Sequence, residues 1–153
     1  MIYEHRFRVR YAETDAMGVA HHAAYLIWLE AARVEWIRHL GFPFAEVEAS
    51  GYRQAVREIR LHYRRPARFD QLLVLRVALV EAHGPRITFG YRLFDSAEWE
   101  GAPGAEAEPA PLSVGTTELV WITPAGRPTR LPASLPLAAA MGAIERHPDW
   151  AEW

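Results

Sequence analysis

Cysteine, lysine and asparagine are all missing from this chain of 153 residues. Without cysteine there is no disulfide framework, no thiolate metal site and no cysteine nucleophile. Without lysine, all 17 basic side chains are arginine; the bias points to genome base composition more than to a functional patch, although arginine also suits bidentate phosphate contacts. An excess of positive charge is lacking too. The formal net charge is -2, which offers no broad basic surface to duplex nucleic acid. No apolar run approaches membrane-spanning length, and the opening MIYEHRFRVRY alternates and is charged, unlike a secretory signal. The expectation is a cytoplasmic protein with neither nucleic acid nor membrane as partner. A phosphate-cradling glycine motif, a serine nucleophile elbow and a helix-turn-helix pair are also absent, which removes nucleotide hydrolysis and serine-hydrolase chemistry.

What is present is a 50% apolar composition, enough for one compact domain over residues 1–153. The stretch from Tyr11 to Trp36, YAETDAMGVAHHAAYLIWLEAARVEW, organises it. Tyr25, Leu29, Ala32, Trp36 and Leu40 recur at helical spacing, and the turns from Ala23 to Leu29 are apolar on every side, so the pattern predicts a buried core helix from Ala23 to Leu40, stopped by Gly41 and Pro43. Ahead of it, residues 2–11 alternate as a half-buried strand. After it, a connector over 44–51 leads to strand-like runs at 54–63, 71–82 and 86–94, read as an antiparallel meander. A run at 112–123 is partnered most simply with 86–94, and a helix is expected over 136–146. Residues 96–111, SAEWEGAPGAEAEPAP, have little to bury and read as a mobile loop. The class is α+β, one long helix against a curved antiparallel sheet of about five strands with a short C-terminal helix. Strand 72–80 is apolar on both faces, which one helix cannot cover, so its second face is expected to meet another subunit.

Chemistry is expected where the core helix begins, because its unpaired N–H groups and partial positive charge suit a developing oxyanion. Asp15 is the candidate general base or nucleophile; taken alone, a backbone role is commoner for an aspartate in a glycine-containing loop. His22, at the first turn, brings a backbone N–H and a side chain to the same place. Tyr11 and Glu13 flank the pocket as candidates; the alternatives are a core aromatic for Tyr11 and a solvated charge for Glu13. No histidine pair at helical spacing accompanies a carboxylate, so no metal site is expected. Glu30 and Arg33 read as a partly buried, structural ion pair. Arg64, Arg65 and Arg68, with Arg127 and Arg130, lie at strand ends, where arginine either binds phosphate or forms a solvated rim.

These residues resemble the hotdog-fold acyl-CoA thioesterases of the 4-hydroxybenzoyl-CoA thioesterase and YbgC type. Tyr11, Glu13, Thr14, Asp15, Gly18, His22 and Tyr25 match the family pattern Y-x-(E/D)-T-D-x-x-G-x-x-x-H-x-x-Y. Glu30, Ala31 and Arg33 fit its helix segment, YRRPARFD its connection, and GRPTRLP the end of its last strand. The resemblance implies thioester hydrolysis with neither metal nor cofactor, CoA being part of the substrate. It implies homo-oligomers that pair into a continuous sheet, often a dimer of dimers, with composite sites. By position it gives Asp15 the catalytic carboxylate, His22 the N–H that polarises the carbonyl, and Tyr11 a supporting role. Glu13, Met17, Gly18 and Tyr25 fall in the substrate-binding stretch, with Arg64, Arg65 and Arg68 as weaker CoA contacts. Met17 replaces a small glycine, Ala24 an asparagine, and the 96–111 loop is long. The expected substrate is a short aliphatic or aromatic acyl-CoA; the rival readings are a non-catalytic acyl-CoA-binding module and an acyl-CoA hydratase on the same fold.

Overall fold

The helical repeat forms α1 (Ala24–His39) in a computed structural model that describes residues 1–100 and 108–152. One face buries Tyr25, Trp28, Leu29, Ala32, Trp36 and Ile37, and Gly41, at φ +92°, turns the chain out of the helix. The all-round apolar stretch is not all buried: Leu26 and Ile27 are 39% and 59% exposed in the single chain. Hydrophobic periodicity fixes which face meets the sheet, and the surplus apolar residues are left outside.

Five antiparallel strands lie against this helix: β1 (Ile2–Arg8), β2 (Arg53–Tyr63), β3 (Leu72–His83), β4 (Arg86–Asp95) and β5 (Ser113–Ile122). Their spatial order is β1-β3-β4-β5-β2. β3 and β4 form the expected hairpin about Gly84, and β5 pairs with β4 as expected. β2 corrects the meander, because it pairs with β5 and not with β3. The eight residues from 64 to 71 cannot act as a tight turn. They hold Pro66 and an Asp70 at φ +64°, and they carry the chain across from one edge region to the other. Shorter elements are α2 (Phe44–Ala49), α3 (Ser96–Glu100) and α4 (Pro136–Ala143). β1 stops at Arg8, and Tyr11–Glu13 is a single 3₁₀ turn. The segment read as a loop opens with α3, while residues 101–107 lie outside the described ones.

The main core lies between α1 and the inner face of the sheet, where Leu73, Leu75, Val77 and Leu79 of β3 meet Ile87, Phe89, Tyr91 and Leu93 of β4. The outer face of these strands is covered by the chain itself, which corrects the expectation of another subunit there. The C-terminal 3₁₀ turn (Pro148–Ala151) lays Trp150, 5% exposed, on Ala78 and Val80. A Cβ at Gly90 would come within 2.7 Å of the Trp150 Cβ, so the close approach requires glycine there. Trp99 of α3 packs on Phe94, ring centroids 4.9 Å apart. Arg76 and Arg92 stack against Trp150 and share Glu108. A two-sided apolar strand is thereby buried within one chain.

Candidate active site

The loop between β1 and α1 is folded by its own backbone. Thr14 and Ala20 form an isolated bridge, the Asp15 N–H donates to the Val19 carbonyl at 2.9 Å, and the Gly18 N–H donates back to the Asp15 carbonyl at 3.0 Å, with Gly18 at φ +72°. The β2–β3 crossover anchors this loop from beneath: the Ala20 N–H donates to the Ala67 carbonyl at 2.8 Å, and the Ala67 N–H donates to the Tyr25 hydroxyl at 3.2 Å. The topology that defeated the meander therefore brings the connection YRRPARFD against the front of α1.

Between them opens a cleft of about 340 Å³, whose lining includes Asp15, Met17, His22, Tyr25, Tyr63 and Arg64. Asp15 Oδ1 accepts the Met17 N–H at 2.8 Å, which closes a turn and fixes the side chain; Oδ2 takes no hydrogen bond or ion pair among the described residues. The backbone role and an open carboxylate oxygen thus coexist in one residue. At the helix start, the His21 N–H goes to the Glu13 carbonyl at 2.7 Å, the Ala23 N–H to His21 Nδ1 at 3.2 Å and the Ala24 N–H to the His21 carbonyl at 2.9 Å. The intervening His22 N–H meets no acceptor among the described residues. The His21 and His22 rings lie 4.1 Å apart, both residues exposed.

Tyr63, which sequence reasoning did not single out, is part of this site. Its hydroxyl donates to the His22 carbonyl at 3.0 Å, and its ring meets Tyr25 edge-on at 5.0 Å. Burial pushes its phenol above the usual tyrosine range, with Tyr25 adding to the shift. The alternation of Ile59, Leu61 and Tyr63 toward α1 was the available signal. Arg65 also lines the cleft, but its guanidinium pairs with Glu98 through Nη1 at 2.8 Å and Nη2 at 2.7 Å. Arg64 is exposed at the rim, the better placed of the two for an outside anion.

Four expected site residues stand outside the cleft lining. Glu13 is not a solvated charge: it is 7% exposed and accepts from the Arg10 backbone at 2.8 Å, the Arg10 guanidinium at 2.7 Å and Trp28 Nε1 at 3.0 Å. Burial alone would raise its pKa; the Arg10 and Trp28 hydrogen bonds and the Arg10 charge outweigh it and hold the carboxyl below the usual range. Tyr11 is not a core aromatic, being 79% exposed with its ring edge-on to Phe69 at 5.6 Å. Gly18 serves the turn, and Arg68 is exposed, bridged through its backbone to Val19. Among the described residues no three His, Asp or Glu side chains converge as a metal site, and no helix is long and apolar enough to cross a membrane.

The sequence profile of the Thioesterase-like superfamily matches residues 9–139, from the end of β1 into α4. The chain belongs to that family. Within it, the chain is 35% identical over 89 residues to the "Putative acyl-CoA thioesterase YneP" of Bacillus subtilis, covering 58% of this chain and 64% of that protein. It is 34% identical over 89 residues to the "Acyl-CoA thioester hydrolase YbgC" of Escherichia coli, covering 58% and 66%. The match spans about two thirds of the length of these curated relatives. Among solved structures, the "DHNA-CoA Thioesterase from Staphylococcus aureus" superposes with a TM-score of 0.80 at 26% identity, covering 92% of this chain and 89% of that one. The hotdog arrangement, a curved antiparallel sheet against a long helix, is common to this member and its structural relatives.

Proposed function

We propose that this thioesterase-family chain hydrolyses the thioester bond of an acyl-CoA. The observation that carries the reading is the pairing, in one cleft, of a carboxylate oxygen (Asp15 Oδ2) and a helix-start N–H (His22) that have no partner among the described residues. One is a base or nucleophile, and the other is a donor for the oxygen that gains charge. Asp15 takes a proton from the water that attacks the carbonyl carbon, or attacks that carbon itself to form a mixed anhydride, which water then hydrolyses to release the acid and restore the carboxylate. The carbonyl oxygen gains charge against the His22 N–H, a contact of about 3 to 4 kcal/mol in comparable enzymes. The C–S bond then breaks and the thiolate leaves with a proton as the thiol. Overall, water adds to the acyl carbon, giving a free acid and CoA. The chain's residues supply base and donor without a metal or further cofactor. Tyr63 holds the His22 carbonyl and thereby the orientation of that peptide. Arg64 offers a cation to the CoA phosphates, and Met17 with Tyr25 forms an apolar wall.

The same reading includes a cytoplasmic homo-oligomer, a dimer of dimers. Its support is the edge strand β2, where Val56 is 50% exposed and Ile59 37%, beside the uncovered Leu26 and Ile27 of α1. Thiol release from a panel of aromatic and aliphatic acyl-CoAs, wild type beside Asp15→Asn, tests the activity. Turnover that vanishes in the variant supports the reading. Full activity in the variant sinks Asp15's role, and binding of CoA esters without turnover by wild type replaces the enzyme with a binding module.

A further inference from the structure

Two arginines beside the cleft have nothing to hold. Arg64 lines it, and Arg68 stands opposite Val19, another lining residue, in an antiparallel bridge that sets the two side chains on one face. Neither guanidinium has an acceptor among the described residues. The cations around them are matched: Arg8 lies 3.4 Å from Asp70, Arg10 pairs with Glu13 at 2.7 Å, and Arg65 pairs with Glu98 at 2.7 Å.

Exposed rings accompany the free charge. Phe69 follows Arg68 directly and is 53% exposed, Tyr11 is 79% exposed, and the two rings meet edge-on at 5.6 Å. Away from Leu26, Ile27, Val56 and Ile59, the large apolar side chains left exposed among the described residues are Tyr11, Met17, Tyr63, Phe69 and Leu72. All belong to the cleft, to the loop and crossover that form it, or to the first residue after the crossover. An apolar patch confined to the surroundings of one cleft marks a binding surface.

We propose that Tyr11, Phe69, Arg64 and Arg68 seat the nucleotide end of CoA, so that the enzyme takes its acyl group from CoA and not from a carrier-protein thioester. The inference rests on the thioesterase reading and names the carrier. That end of CoA joins a flat aromatic base to three phosphate groups, and a base stacks on an exposed aromatic ring while phosphates take arginine. The pantetheine arm is the long, extended link from such a seat to a thioester at Asp15 and His22. The free positive charge is confined to two side chains because Arg8, Arg10 and Arg65 are already neutralised by the chain's own carboxylates. That suits a small, multiply charged ligand better than the broad acidic face of a protein.

Benzoyl and hexanoyl thioesters of CoA, of pantetheine and of an acyl carrier protein, compared by thiol release, test the seat. Wild type should favour the CoA ester over the pantetheine ester of the same acid by about tenfold or more in kcat/KM, mostly through KM. Phe69→Ala should cut kcat/KM for the CoA ester by about five- to tenfold and leave the pantetheine ester within about twofold, as loss of one stacked base does. Phe69→Trp should keep the preference, and Arg68→Gln should reduce it, with less effect at high salt. Equal kcat/KM for the CoA and pantetheine esters in wild type overturns the seat and leaves the thioesterase reading standing. So does a CoA preference untouched by Phe69→Ala and Arg68→Gln, and a preference for the carrier-protein ester assigns the patch to a protein partner instead. If none of the esters is hydrolysed, the thioesterase reading is what fails, and calorimetry with adenosine 3′,5′-bisphosphate decides the seat separately: binding weakened in Phe69→Ala supports it, and no binding or unchanged affinity refutes it.

Discussion

On the outer face of the sheet, Arg76 and Arg92 share Glu108, Arg92 reaches Asp149 at 3.7 Å, and Trp150 lies flat beneath both guanidinium groups. On the inner side, at the front of α1, Asp15 Oδ2 and the His22 N–H stand without partners among the described residues. Both regions are charged and both border apolar cores. The outer face has matched each cation with a carboxylate of its own chain, as a surface selected for stability does. The inner groove keeps its polar groups open and accepts the cost, which is where a ligand has something to complete.

Substitutions on the two sides should separate activity from stability. Asp15→Asn should lower kcat by about three orders of magnitude, within the range for a lost acid–base or nucleophilic group, with a denaturation midpoint close to wild type; a large stability loss with retained turnover would erase the contrast. Trp150→Ala should do the opposite. It should cost about 3 to 5 kcal/mol in urea unfolding, as buried tryptophan truncations do, while kcat/KM stays near wild type under folding conditions. Gly90→Val should mimic it by forcing the tail off the sheet, since the new side chain meets Trp150 and Val80. A midpoint unchanged in both would mean that the tail contributes no stability.

Glu13→Gln probes an intermediate case, a paired carboxylate on the site side. The folded pKa of Glu13 lies below the ordinary 4.5, so its stabilising contribution is complete above that value and is lost as the pH falls through the folded one. The variant should be less stable at neutral pH and should show a flatter decline below about pH 4.5, measured as unfolding midpoint against pH. Tyr63→Phe is the smallest perturbation: loss of the bond to the His22 carbonyl should cost about 1 kcal/mol or less in stability and a severalfold drop in kcat, while KM is retained.

Much of this was legible from the chain itself. The period of α1, the β3–β4 hairpin and the nearness of Asp15 and His22 to the helix front follow from local patterns, while Met17, Tyr25, Arg64 and Arg65 were placed there by the family resemblance. What escaped depended on distant partners. Glu13 reads as a solvated charge because nothing adjacent shows that Trp28, fifteen residues on, closes over it. Tyr11 follows a strand alternation that the backbone abandons at Arg8. β2 resembles a meander strand until the pairing with β5, some sixty residues later, is known. The outer cover was invisible for the same reason, since a tryptophan near the C-terminus carries no sign of the glycine it will sit on.

The β2–β5 pairing also dictates an order of assembly. During synthesis β3 and β4 emerge and can zip together at once, whereas β2, made before them, has no hydrogen-bonding neighbour until β5 has left the ribosome. Through that interval its backbone has only water as a hydrogen-bonding partner, and the crossover that braces Ala20 and Tyr25 lacks the β2–β5 ladder that holds its first end. The cleft is therefore among the last parts of the molecule to take shape, although the residues that give it reactivity are among the first to be made.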